Sequence, residues 1–123
     1  MNVRFLKRYA FLPLFLVSLH YTSAQETEMN ANSSSAYNHA KKLYNNKAYA
    51  AAQKTFKEVT LQTPQNSNLK SDSEYYSAMC AIKLNQTEAD KMVLNFVADN
   101  PNSNKKEKAF LNVGNYYFAN KKA

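Results

Sequence analysis

The sequence predicts an all-α chain of five helices, arranged as about two and a half helical hairpins. Three observations carry that prediction. Apolar residues recur at the spacing of one helix face, as in Ala89, Met92, Val93, Phe96 and Val97. Beyond the first two dozen residues proline is confined to Pro64 and Pro101, each placed just after such a run, where it ends a helix. Those prolines lie 37 residues apart in matching contexts, PQNSN at 64–68 and PNSN at 101–104. Strand-type alternation is absent, and Ala, Lys, Leu, Met, Glu and Gln, the good helix formers, dominate.

Residues 1–24 read as an export signal. Arg4, Lys7 and Arg8 form a basic start, Tyr9 to Leu19 an apolar run, and Thr22 and Ala24 the small residues of a signal-peptidase site. Cleavage is expected between Ala24 and Gln25. The apolar run is too short to span a bilayer, which takes about 20 residues, and Pro13 interrupts it. Residues 25–32 are polar and are expected to be a flexible leader.

Helices are then expected at roughly 33–46, 48–62, 70–84, 88–99 and 105–121. The second carries Ala48, Ala52, Phe56 and Val59 on one stripe, and the fifth carries Phe110, Val113, Gly114, Tyr117 and Phe118. Ser71-x-x-Glu74 and Thr87-x-x-Asp90 read as capping boxes, and Asn104-x-x-Glu107 as a further helix start.

The 37-residue offset extends beyond the prolines. Ala52 aligns with Ala89, Phe56 with Val93 and Val59 with Phe96; Ala40, Ser77 and Gly114 align as small residues, followed by Leu43, Cys80 and Tyr117. One unit is therefore a small residue where two helices approach, an apolar pair, a turn, an Ala at the helix crossing, another apolar pair and a terminating Pro. This pattern resembles the tetratricopeptide repeat (TPR). The matching residues are Ala40, Leu43, Ala52, Phe56, Val59 and Pro64, then Ser77, Cys80, Ala89, Val93, Phe96 and Pro101, then Gly114-Asn115-Tyr116-Tyr117-Phe118, close to that family's GNAYY. The sequence departs from the family in its period, which is about 34 residues there, in lacking Trp, and in placing Ser77 and Cys80 at consensus sites. The resemblance covers 33–123, with units at about 33–69, 70–106 and an incomplete 107–123. It implies a right-handed stack of antiparallel hairpins. Because the sequence stops after the fifth helix, that chain is expected to be the N-terminal part of a longer array, the alternative being a fifth helix that docks on a partner. Its aromatic face is also a candidate for self-association.

Composition excludes several functions. The 123 residues carry a formal charge of +7, but removing 1–24 leaves 13 Lys, no Arg and 9 acids, hence +4. Nucleic-acid readers mix Arg with Lys for bidentate contacts, so nucleic acid is not an expected partner and the lysines near the C-terminus, Lys105, Lys106, Lys108, Lys121 and Lys122, read as a solvated face. A lone cysteine, Cys80, gives neither a disulfide framework nor a cysteine zinc site. It reads as a small buried hydrophobe. His39 is the only histidine beyond the signal, and the one glycine excludes phosphate-cradling loops. The carboxylates are scattered, with Glu74 and Asp90 assigned to capping. No catalytic, metal or cofactor site is expected, and the chain does not read as an enzyme.

The resemblance implies a binding groove lined by the first helices of the hairpins, here Tyr37, Lys41 and Asn45, then Glu74 and Ala78, then Lys108 and Asn115. The expectation is an exported scaffold module that binds a peptide or protein segment in the periplasm or at the outer membrane of a Gram-negative bacterium. It meets the membrane only through the signal peptide before cleavage. The alternative is a structural N-terminal piece of a larger envelope scaffold with no ligand of its own.

Overall fold

The structure is a computed structural model that describes the backbone from Leu12 to Lys121 and the side chains from Gln25 to Lys121. It contains α1 (Leu12–Asn45), α2 (Tyr49–Gln62), α3 (Asn68–Lys83), α4 (Ala89–Asp99) and α5 (Lys106–Lys121), with no strand among the described residues. The basic start of the expected export signal lies outside them. Two compact units divide the chain, at 1–32 and 33–123. In the first, residues 25–32, expected as a leader, are helical and solvent-exposed. No described helix is long and apolar enough to cross a membrane.

The second unit holds the hydrophobic core, and α3 is its axis. Ser73, Tyr75 and every residue from Ser77 to Ala81 are buried, so this helix is covered on all sides rather than on one stripe. On one side Cys80 packs with Ala40 of α1 and with Ala52 and Phe56 of α2. On the other, Tyr75, Ala78 and Met79 pack with Val93, Phe96 and Val97 of α4 and with Ala109 and Val113 of α5. The second helices of the two hairpins repeat as expected: Ala52 and Ala89, Phe56 and Val93, and Val59 are all fully buried, and Phe96 nearly so.

The first helices are offset differently. α1 ends with Lys47 at φ 62°, the amide of Ala48 donating to the Leu43 carbonyl (2.9 Å) and that of Lys47 to Tyr44 (3.0 Å). α3 ends in the same way, with Asn85 at φ 51°, Gln86 donating to Ala81 (3.0 Å) and Asn85 to Ile82 (3.1 Å). Both ends are Schellman motifs, which satisfy helix-terminal carbonyls through a left-handed residue. Lys47 and Asn85 are 38 residues apart. Structural equivalence therefore pairs Leu43 with Ala81, not with Cys80, while the second helices keep the 37-residue offset. The turn of the first hairpin is one residue longer.

The helix starts also differ from expectation. α3 begins at Asn68, with the Ser67 hydroxyl accepting from the Lys70 amide at 3.1 Å, four residues before the expected cap Ser71. Before α5 it is the Ser103 hydroxyl, not Asn104, that accepts from the Lys105 amide (3.2 Å). α4 starts without a side-chain cap, so Thr87 does not cap it. Thr63 donates to the Val59 carbonyl (2.7 Å) at the end of α2, and the exposed Pro64 follows, unable to extend the helix. Asn100 ends α4 by donating to Phe96 (3.0 Å), again with an exposed Pro next, Pro101.

The packing assigned to α5 is the largest correction. Gly114 is exposed, and a Cβ added there meets nothing within 4 Å; Tyr117 is 38% exposed. Only Ala109 and Val113 of this helix are buried, and through them it rests on α3 and α4.

Candidate functional site

The first helices of the hairpins, α1, α3 and α5, line one groove of about 300 Å³. Its floor is aromatic and apolar, from Tyr44, Tyr75, Tyr76, Met79 and Ile82, and its polar groups are Lys41, Asn45, Lys83, Lys108 and Asn112. Among the described residues no carboxylate lines it.

Tyr76 organises the floor. Its ring stacks on Phe56 (5.4 Å, 17°) and meets Tyr37, Tyr44 and Tyr75 edge-on at 6.4, 5.2 and 5.1 Å. Offset-stacked and edge-to-face pairs suit the ring quadrupoles, so this cluster is rigid as well as apolar. The Lys41 ammonium lies 3.6 Å over the Tyr76 centroid, within cation–π range, which fixes a positive charge at the groove wall. Burial pushes the Tyr44 hydroxyl up to about 12 and raises Tyr75, so both are neutral hydrogen-bonding groups at ordinary pH. The Asn112 amide donates to the Met79 sulfur at 3.2 Å, tying α5 to α3 along the groove.

Of the residues expected in the groove, the structure brings together Lys41, Asn45 and Lys108. Tyr37 sits behind it, against Phe56 and Tyr76, its hydroxyl raised by burial and by the nearby Asp72 carboxylate. Glu74 and Ala78 do not line it. Ala78 is 1% exposed, and Glu74 faces α4, where its carboxylate accepts from Asn100 at 2.8 Å. It does not cap α3, and Asp90 accepts from the Tyr117 hydroxyl (2.7 Å) across to α5. In their place α3 presents Tyr75 and Met79, one position later in each case, beside Tyr76, Ile82 and Lys83. That shift follows from the 38-residue offset of the first helices. On α5 the groove residues are Lys108 and Asn112, whereas Asn115 is exposed elsewhere.

A second cluster stands apart. The Lys105 ammonium meets Asp72 at 2.6 Å in a part-buried ion pair, which pins the α4–α5 connection to α3. Lys105 is thus not part of a purely solvated lysine face. Another cleft between α2, α3 and α4 is lined by Lys57, Glu74, Met92, Phe96 and Asp99. The Cys80 thiol is fully buried and pushed up to about 11 by that burial, which leaves it protonated and inert. His39 is exposed, and no three His, Cys, Asp or Glu side chains converge among the described residues. Compared with protein-family models, curated proteins and solved structures, the chain matches none.

Proposed function

We propose that the chain is a TPR-like protein-interaction module whose groove between α1, α3 and α5 takes a peptide or protein segment bearing acidic and apolar side chains. One observation carries this reading: three ammonium groups, Lys41, Lys83 and Lys108, ring an aromatic floor with no carboxylate among the lining residues. Such a site attracts negative charge along the groove and rejects basic segments. The apolar floor supplies buried area, and the Asn45 and Asn112 amides serve the backbone of an extended ligand. The reading extends to an exported protein of a bacterial envelope, on the strength of residues 1–24, with neither nucleic acid nor a cofactor required. The second reading, a scaffold piece that assembles through its surface, is supported by the exposed apolar side of α5, where Phe110 and Leu111 are 46% and 65% exposed.

The test is peptide selection from a random display library against the full chain. Selected peptides should be enriched in Asp and Glu beside an aromatic or aliphatic residue. Charge reversal at Lys83 and Lys108 should weaken them about tenfold or more, as loss of well-placed charge pairs does, while Asn115→Ala changes nothing. Peptides with no acidic enrichment, or binding indifferent to both reversals, overturn the proposal.

A further inference from the structure

We propose that α5 is a homodimerisation helix, pairing antiparallel with α5 of a second copy about a two-fold axis at Gly114. This proposal does not depend on the groove, which lies on other residues of the helix.

The starting point is the exposed side of α5 that carries Gly114. Seven residues lie on it at spacings of three and four: Glu107, Phe110, Leu111, Gly114, Tyr117, Phe118 and Lys121. All are exposed, with Phe110, Leu111 and Phe118 at 46%, 65% and 64%, while Tyr117, at 38%, also donates its hydroxyl to Asp90 of α4. Gly114 is in the middle, where its missing side chain leaves open space. A helix needs a small residue at a crossing point for backbones to approach closely, and this is the one glycine of the chain.

The face is symmetric about that glycine. Phe110 and Leu111 precede it by four and three residues, and Tyr117 and Phe118 follow it by three and four. Glu107 and Lys121 precede and follow it by seven. Opposite charges at equal distances from a small central residue define one self-complementary arrangement. In an antiparallel pair Phe110 faces the Phe118 end of the second copy, and Leu111 faces its Tyr117 end. Glu107 then reaches Lys121 of the other chain at both ends of the contact. A parallel pair would instead set Glu107 against Glu107 and Lys121 against Lys121. A two-fold contact of this kind closes on itself and makes a dimer rather than a filament.

The size of the contact sets its strength. Sixteen helical residues extend about 24 Å, so one helix pair buries less than the roughly 1,600 Å² of a standard stable interface. A weak, reversible dimer follows, populated as concentration rises.

The experiment is sedimentation velocity on the full chain over a concentration series, with circular dichroism to confirm unchanged helicity in each variant. The average mass should rise from monomer to dimer and no further. Glu107→Lys and Lys121→Glu should each raise the dissociation constant about tenfold, since two attractive pairs become repulsive. The double reversal should restore dimerisation. Both reversals oppose the helix dipole, so rescue by the double variant reports the intermolecular pair and not helix stability. Gly114→Arg, at a site with room in the monomer, should abolish the dimer. A chain that stays monomeric throughout overturns the proposal. So does self-association that survives Gly114→Arg, as it would if residues 9–19 drove it, or single reversals that the double variant does not rescue.

Discussion

Gln53 and Gln86 exchange two side-chain hydrogen bonds, each amide nitrogen donating to the other's carbonyl oxygen at 3.0 and 2.9 Å. Gln53 is 6% exposed and also donates to the Ser77 carbonyl at 3.3 Å. The Gln86 carbonyl accepts from the Tyr116 hydroxyl at 3.1 Å. Four elements thus meet at one residue of the α3–α4 turn, the same residue that closes the Schellman motif of α3. The pair fixes how α2 lies against the next hairpin, a relation that apolar packing alone specifies loosely.

Gln53→Ala should therefore cost about 1–3 kcal/mol in urea unfolding, because it strands the Gln86 side-chain amide in a part-buried place and removes the link to α3. Gln86→Ala should cost less, since Tyr116 bonds the backbone there and keeps its partner. A double-mutant cycle should give a coupling of about 0.5 kcal/mol or more. Additive losses would show that the two amides do not act together.

Phe56→Ala should be the most damaging single change in the first core, at about 3–5 kcal/mol, since the ring is fully buried and stacks on Tyr76. Because Tyr76 also forms the groove floor, the same variant should loosen ligand binding. Leu61→Ala, at a side chain 86% exposed, should change stability by less than about 0.5 kcal/mol. Thermal melts of the three proteins side by side check the order.

The second helices were legible in the sequence because Ala52, Phe56 and Val59, like Ala89, Val93 and Phe96, are large or small apolar residues whose burial needs only the helical period. The first helices were less so. A hairpin turn closed by Lys47 in the left-handed region carries no glycine to mark it, and lysine gives no sign of that conformation. The one-residue difference between the two turns was invisible for that reason, and with it the choice of Tyr75 and Met79 over Glu74 and Ala78 in the groove. The capping boxes failed on a related point. Ser71 and Glu74 have the right spacing, but Ser67 starts the helix a turn earlier and Glu74 is taken by Asn100 from α4. A pattern within one helix cannot report a partner 26 residues away. On α5 the apolar stripe includes Val113, but its contact with the core pairs Val113 with Ala109, outside that stripe, and leaves Gly114 exposed.

Gly114→Ala should stabilise the monomer by about 0.5–1 kcal/mol, since glycine inside a helix carries extra unfolded-state entropy and the added methyl meets nothing within 4 Å. Urea unfolding at low protein concentration, where association does not contribute, measures this. A loss of stability would mean that the region around Gly114 is not open in solution.

Alkaline pH should unfold the protein through its tyrosines, and Tyr44 gives the clearest case. Its hydroxyl is pushed up to about 12 by burial, with smaller contributions from Tyr75 and Cys80. In the unfolded chain a tyrosine titrates near 10. The folded state thus holds this proton more tightly than the unfolded state does. Its contribution to stability is complete below about pH 10, falls as the unfolded state ionises, and is lost once pH rises through about 12. Tyr37 and Tyr75 are raised in the same direction, burial being the largest cause, so their contributions too are lost on the alkaline side. The urea midpoint should accordingly be insensitive to these groups up to about pH 10 and decline above it. Comparing the chain with Tyr44→Phe isolates one group, because every other titration is common to both. The variant should show a shallower decline between about pH 10 and 12. Parallel curves across that interval would mean that the Tyr44 hydroxyl reaches water in the folded state, and that the groove floor is not as dry as its packing against Tyr49 and Tyr76 indicates.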